Sequence, residues 1–567
     1  MYETGKERLY QELEKFVVTR LRPFPYYRYF YEYYELEYRC LNVEERLDFM
    51  DNVWRRNDYK YRKNGGEFVY FPQLTNHEIC HEMFWNAFRG CSRMYIQLPN
   101  LTSEKNTFSD YSDRGADAKR IEGEDEENVI TLSCTLLTLQ MLDYDIMMFR
   151  AMNDQEDQEY RDAAINHYRP YLFNYVAEID EKKFQELQKL QQQKYSTTEI
   201  VSADVRDEPY LWLACTFNPD TRESLIDLNG YVVQSASSIN KIKADLSIIE
   251  DDGTSVKVKK DILDGYELNS SCMQDDDFIY ELSCGLDCLS SIYVYRIGNG
   301  NCVYAENKNK DMSFFFDIGF NHKHRPKKLV PTSTYNYSSA MKKVLAKDPS
   351  FFILSHWDLD HIAGSFAAKK DFLNKKWFTP DCFDACTDAQ RLAKYLDLKG
   401  NLLRVERKKF GRLIGEINIG NNTTYKLFMG EKASCDRSYP NCEGMVIKYE
   451  DTDKTVMMMG DVNYESFNKA INNYNNKLVG LGSTLKSEPL FADTPIDYLI
   501  VPHHGSKHTS YNLIVGSKLI KGTEAIICCS TGGNRPNRDH RQELEKRFTV
   551  STTHSNAQAK DYIEIRL

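Results

Sequence analysis

The 567-residue chain has no apolar run approaching the ~20 residues that span a bilayer, so a helical membrane anchor is not expected. Met1-Tyr2-Glu3-Thr4-Gly5-Lys6 carries no signal-peptide pattern. A disulfide framework is also lacking: the 15 cysteines are odd in number and irregularly spaced. Reduced thiols and a cytoplasmic location are the expectation. There is no convincing internal repeat, and at a net charge of −11 there is no general excess of positive charge. The second absence argues against a simple nucleic-acid coat along the whole chain.

What is present is unevenly distributed. Residues 286–567 hold 40 Lys and Arg against 31 Asp and Glu, a balance of +9; residues 1–285 hold 33 against 53, a balance of −20. The basic half suits an anionic substrate, and the division predicts attraction between the halves or different partners for each. On this view the acidic half covers the basic surface until a partner or ligand moves it. The length exceeds one core, so two or three domains are expected. The expected plan is α/β. Residues 1–200 read as a mostly helical acidic domain, 201–288 as a small β-rich domain, and 289–567 as a layered α/β domain.

The chemistry concentrates in Ser355-His356-Trp357-Asp358-Leu359-Asp360-His361, which follows the apolar run Phe351-Phe352-Ile353-Leu354. Two imidazoles and two carboxylates at the end of a buried strand are costly unless a cation satisfies them. Two later apolar runs end the same way, at Gly460-Asp461 and at Pro502-His503-His504-Gly505-Ser506. Three strand ends converging on one centre would gather His356, Asp358, Asp360, His361, Asp461 and His503, enough for two ions with positions left open.

With Asp317-Ile318-Gly319 before them, these motifs resemble the metallo-β-lactamase superfamily, and within it the metallo-hydrolase domain of the DNA-uptake protein ComEC. That subgroup also has Asp where a second His of the motif usually stands, here Asp358, and also has the Pro-His-His-Gly-Ser run. Gly298–Asn301 is similar to its opening glycine-rich turn, and Asn534-Arg535-Pro536 through His540 to its late segment. The resemblance covers roughly 289–567. It implies an αββα sandwich in which His356 and Asp358 bind one ion, Asp360, His361 and His503 bind the other, and Asp461 bridges them. Asp317 and His504 would support the ligands from behind. Asn441-Cys442-Glu443-Gly444 stands where many members place a further His. The carboxylate-rich set moves metal preference from Zn²⁺ toward Mn²⁺ or Mg²⁺.

The implied activity is hydrolysis by a water that two divalent cations acidify. Asp360 and His361 would be central to it, with Lys507, His508 and His540 as candidates to hold substrate oxygens or protonate a leaving group. Basic clusters at Lys323–Lys328, Lys369–Lys376 and Arg404–Arg412 favour a phosphodiester, and the resemblance favours nucleic acid, with bacterial defence as one setting. A small ester, thioester or cyclic nucleotide is the alternative substrate, and a binding or scaffold protein with a degenerate metal site the alternative class. The N-terminal half would regulate, recognise a protein partner or self-associate; no membrane partner is expected. Three further features read as structural: His77-Glu78-Ile79-Cys80-His81 as a polar helix face despite its zinc-protease spacing, the tyrosines of 24–38 as core or interface, and Cys284/Cys288 and Cys382/Cys386 as plain thiols.

Overall fold

The computed structural model describes residues 4–21, 76–88, 93–99, 101, 129–197, 210–217, 224–235, 239–250, 254–298, 300–308, 312–320, 339–368, 370–381, 386–408, 410–420, 422–431, 443–470, 496–506, 509, 522–529, 536–553 and 560–567. Three seven-stranded sheets carry the fold.

The first sheet is antiparallel. It comprises β1 (Met94–Pro99), β2 (Ile130–Thr138), β3 (Leu172–Ile179), β4 (Tyr210–Thr216), β5 (Ser224–Ser235), β6 (Ile239–Lys243) and β7 (Leu246–Ile249), in the order β3-β2-β1-β4-β7-β5-β6. The first half of β5 pairs β7 and its second half pairs both β3 and β6, closing the sheet on itself. Around it lie α1 (Gly5–Arg20), α2 (Asn76–Phe88), α3 (Leu139–Met152), α4 (Gln158–His167), α5 (Glu181–Thr197) and α6 (Thr254–Gly265). The expected division at 200/201 therefore separates strands of one sheet, and 1–200 is a mixture of helices and strands. β1 and β3 are buried on almost every residue, so they lack the alternation that marks a half-exposed strand. Residues 254–288 depart from a β-rich reading in the same way. Asp275-Asp276-Asp277 opens α7 (Asp275–Ser283), where carboxylates oppose the positive helix end.

The second and third sheets face each other. The second contains β8 (Leu289–Tyr295), β9 (Cys302–Asn307), β10 (Phe314–Ile318), β11 (Phe351–Ile353), β12 (Lys376–Pro380), β13 (Leu402–Val405) and β21 (Tyr562–Arg566), in the order β13-β12-β11-β10-β9-β8-β21. The third holds β14 (Arg412–Ile419), β15 (Thr423–Met429), β16 (Met445–Glu450), β17 (Thr455–Met458), β18 (Tyr498–Ile500), β19 (Glu524–Ile527) and β20 (Thr549–Thr552), in sequence order. Phe314, Phe316, Phe351, Ile353 and Phe378 pack between them against Leu427, Ile447, Met458, Ile500 and Ile526. The alternate residues Phe315, Phe352 and Trp377 stack on the outer face, under α8 (Ser339–Leu345), α9 (Leu359–Ala367) and α10 (Thr387–Leu398). Each buried aromatic of this kind stabilises by roughly 2–3 kcal/mol relative to exposure. Beyond the third sheet, α11 (Arg538–Glu545) and residues 464–470 cover Met457, Leu499 and Ile527. The layers are helix, sheet, sheet, helix.

The N-terminal sheet is fused to this sandwich. One apolar cluster runs from Leu136, Met141, Tyr144 and Tyr168 to Phe366, Leu392 and Tyr395. Within it Arg391 donates to Asp145 at 2.8 Å and to Asp388 at 2.6 Å, all three fully buried. The described part of the acidic half thus shares a core with the sandwich.

Candidate metal centre

The site lies at the carboxyl ends of parallel strands, where loops leave both sheets of the sandwich. β10 and β11 run parallel, as do β17, β18 and β19. Their exits deliver Asp317, His356–His361, Asp461, the Pro502–Gly505 turn and Cys528 to one place. Backbone strain collects there too. Among the described residues, Asp317 (φ +59°), His503 (+48°) and His504 (+53°) are the non-glycine residues with positive φ. Each such residue costs on the order of 1–2 kcal/mol, which the surrounding contacts must offset. Gly460 (φ +54°) lets its turn pass Ser355, since a Cβ there would come within 2.4 Å of the serine Cβ.

Three imidazoles are held by one nitrogen and aimed by the other. His361 Nδ1 donates to Asp317 Oδ2 at 2.8 Å, and His504 Nδ1 donates to the Cys528 carbonyl at 2.8 Å. Ser355 Oγ gives its proton to Asp317 Oδ2 at 2.7 Å, so the 3.0 Å contact of His356 Nδ1 with Ser355 Oγ has the imidazole as donor. In each ring this leaves Nε2 with the lone pair. All three Nε2 atoms are buried and make no well-formed hydrogen bond. They face carboxylates instead: His361 meets Asp461 Oδ1 at 3.1 Å, His504 meets Asp360 Oδ2 at 3.3 Å, and His356 meets Asp358 Oδ2 at 3.5 Å.

Two overlapping groups result, His356–His361–Asp461 and Asp360–His361–His504, with ligand atoms within 4.8 Å of one another in each. Imidazole lone pairs and carboxylates pointing at one small volume, with Nδ1–H groups tied behind, form a donor set that fits a divalent cation. The electrostatics agree. Burial pushes the His361 imidazole down, but Asp461 and Asp317 on either side reverse this and hold it well above the usual histidine range. Burial would raise the Asp461 carboxyl, but His361, His503 and His504 hold it well below the usual range.

Asp317 lies behind the cluster. Its Oδ1 takes the Ser355 N–H at 2.6 Å, and its Oδ2 takes donors from Ser355, His361 and Asn301. The histidine pair departs from expectation. His503 Nδ1 stays 3.6 Å from Asp461 Oδ2 and joins neither group, whereas His504, expected behind the ligands, supplies Nε2 to one of them. The two consecutive left-handed residues decide which ring turns inward, and sequence does not reveal this. Asp358 sits at the rim with its side chain 39% exposed and belongs to neither group, so the His356 side has fewer converging donors.

His540 is drawn elsewhere. Its Nδ1 faces the Ser506 carbonyl and Thr509 Oγ1, and its Nε2 meets the Tyr464 hydroxyl, each at 3.2 Å. Burial lowers its pKa to about 4, and the ring braces the turn after His504 rather than reaching into the cluster. Lys507, His508, Asn534, Arg535, Asn441 and Cys442 lie outside the described residues. Glu443 is buried, 3.6 Å from Arg407, and joins neither ligand group. The sequence reading gave no role to Ser355 or Cys528. Both act through positions that motif spacing ignores, one just before the first histidine and one through its main-chain carbonyl.

The basic clusters are partly spent on the fold. Arg404 pairs with Asp381 and Arg412 with Asp275, both arginines buried; Lys376 pairs with Glu281 and Lys375 with Asp348. Residues 323–328 lie outside the described residues, as do the tyrosines of 24–38 and Cys382. The His77–His81 segment is helical, within α2. Cys284, Cys288 and Cys386 are free thiols.

No family model matches the chain, and no curated protein matches it. Solved structures similar to it include a mutant of CmlA beta-hydroxylase, at 12% identity over 75% of this chain and 91% of that one, with a TM-score of 0.30. CmlA, a diiron beta-hydroxylase from Streptomyces venezuelae, is 10% identical over 84% of this chain and 100% of that one, with a TM-score of 0.27. Overlaps this loose do not bear on the chemistry of the site. No helix among the described residues is long and apolar enough to cross a membrane.

Proposed function

We propose that the cluster is a divalent-metal centre and that the chain is a metal-dependent hydrolase of metallo-β-lactamase type acting on phosphodiesters. The observation that carries this is the set of three buried Nε2 atoms, each with its Nδ1 anchored, converging on Asp360 and Asp461. Asp360, His361, His504 and Asp461 would hold one ion, and His356, Asp358 and Asp461 a second, more weakly. Bound there, divalent ions supply an acidified water at neutral pH and positive charge for a developing anion. The protein's own part is to fix the ligands. Asp317 and the Cys528 carbonyl set two rings, and the strained Pro502–Gly505 turn presents His504. Nucleic acid is the substrate class that the ComEC resemblance favours. The ion pairs of Arg404, Arg412 and Lys376 favour a second reading, a small phosphodiester or ester, because those cations are occupied by protein carboxylates.

The test is cleavage of labelled single- and double-stranded DNA and RNA, and of bis(p-nitrophenyl) phosphate, with Mn²⁺, Mg²⁺ or Zn²⁺. The Asp360→Ala/His361→Ala variant is the control. Cleavage lost in the variant supports the hydrolase. Cleavage of the small diester alone selects the second reading. Failure of the wild type to bind any of these ions would refute the metal centre itself.

A further inference from the structure

We propose that Asn301 is the residue that positions the Asp360–His361–His504 ligand group, acting on all three ligands from behind. It lies in the turn between β8 and β9 and is 3% exposed. The inference rests on the metal-centre reading and goes beyond it, because both polar side-chain atoms of Asn301 are turned to residues behind the cluster, Asp317 and Cys528.

Four groups of Asn301 are used. Its Nδ2 donates to Asp317 Oδ2 at 2.8 Å, and that same oxygen accepts from His361 Nδ1. Its Oδ1 accepts from Cys528 Sγ at 3.4 Å, and the Cys528 carbonyl accepts from His504 Nδ1. Its backbone N–H donates to the Asp360 carbonyl at 3.1 Å, fixing the first turn of α9 that carries Asp360 and His361. Its backbone carbonyl accepts from Gly319 N–H at 2.7 Å, holding the exit of β10 close by. That approach is tight enough that a Cβ on Gly319 would lie 1.8 Å from the Asp360 carbonyl oxygen. Asn301 therefore reaches three ligands: its backbone N–H serves Asp360, and the supports of His361 and His504 are tied together by its side-chain amide. Its orientation is determined too, with nitrogen toward the carboxylate and oxygen toward the thiol. His361 belongs to both groups, and Ser355, behind His356, also leans on Asp317 Oδ2, so Asn301 acts on both; its ties to the Asp360 carbonyl and to Cys528 serve the Asp360–His361–His504 group alone, which should feel its loss more.

The decisive experiment measures Mn²⁺ affinity by paramagnetic resonance, in wild type and in a His356→Ala/Asp358→Ala background that keeps the Asp360–His361–His504 group. Asn301→Ala removes both side-chain bonds and leaves both backbone bonds. Asn301→Asp keeps the volume but sets a carboxylate against Asp317, so it remains informative if the alanine variant unfolds. Each is expected to weaken Mn²⁺ binding in that background by about 10–100-fold, the usual effect of losing a support behind a metal ligand. In an otherwise wild-type chain carrying Asp360→Ala/His504→Ala, the residual site on the His356 side should also weaken, but by a several-fold smaller factor. Unchanged affinity in a folded Asn301 variant would overturn the proposal, and so would equal weakening of both sites. Absence of Mn²⁺, Mg²⁺ or Zn²⁺ binding in wild type would instead refute the metal centre, a distinguishable result.

Discussion

Two buried charged clusters in this molecule look alike in composition and differ in what they leave open. In the Arg391 cluster the charges are met by protein. Asp145 accepts from Tyr168, Tyr171, Tyr266 and Arg391, and Asp388 accepts from Arg391, Thr135 and the Phe173 N–H. The guanidinium also lies over the Tyr171 ring at 4.1 Å, and only its Nη2 lacks a hydrogen bond. In the His361 cluster three imidazole nitrogens point at carboxylates without well-formed bonds, on loops with strained backbone. A cluster whose charges are closed by its own neighbours fastens modules together. A cluster whose imidazole nitrogens face carboxylates on strained loops has the form of a cation site.

The comparison can be broken at either end. The largest effect is expected from His361→Ala or Asp461→Asn, which should abolish stoichiometric metal binding and lower hydrolysis on the order of 10³-fold or more, read by metal analysis and kinetics. Truncation to 289–567 should give insoluble or unfolded chain, because α9 and α10 lose the core they share with α3 and β2. A soluble, active fragment would restore the reading of the acidic half as a removable cover. Arg391→Met leaves two buried carboxylates without their partner and should cost about 3–5 kcal/mol in urea unfolding. Metal affinity of the folded fraction should stay unchanged. His504→Ala should weaken metal binding by tenfold or more, and by more than His503→Ala; the reverse order in calorimetric titration would return the ligand role to His503.

The smallest effect concerns pH. Burial outweighs Arg391 and raises Asp388 to about 6, above its usual range. A group with a raised folded-state pKa favours folding below its unfolded pKa and loses that contribution as pH rises through the folded value. The stability of Asp388→Asn relative to wild type should therefore improve between pH 4 and pH 7. A flat difference in urea midpoints across that range would show that Asp388 stays ionised throughout.

Much of the sandwich was legible because its strands are short apolar runs with chemistry at their ends. Phe351–Ile353, Thr455–Met458 and Tyr498–Ile500 announce themselves by hydrophobicity, and the residues that follow them include His356 to His361, Asp461 and His504. The N-terminal sheet was hidden for the opposite reason. Its first strands, β1 to β3, are separated by long intervals, β1 and β3 are buried on almost every residue, and β3 pairs with β5 far along the chain. The basic clusters misled because a lysine or arginine looks the same in sequence whether it faces solvent or pairs with Asp275 or Glu281.

By itself the sequence determined which residue types could form a cation site and on which strand ends they stand, since burying unpaired imidazole and carboxylate groups is too costly to be incidental. It also carried the opposite charges of the two halves, some of which meet as ion pairs. Only the tertiary structure decided which of two adjacent histidines turns inward, that His540 braces a loop, and that Asn301 and Cys528 stand behind the cluster. Those outcomes depend on the sign of φ at single residues and on carbonyls brought together from distant segments, and local sequence encodes neither.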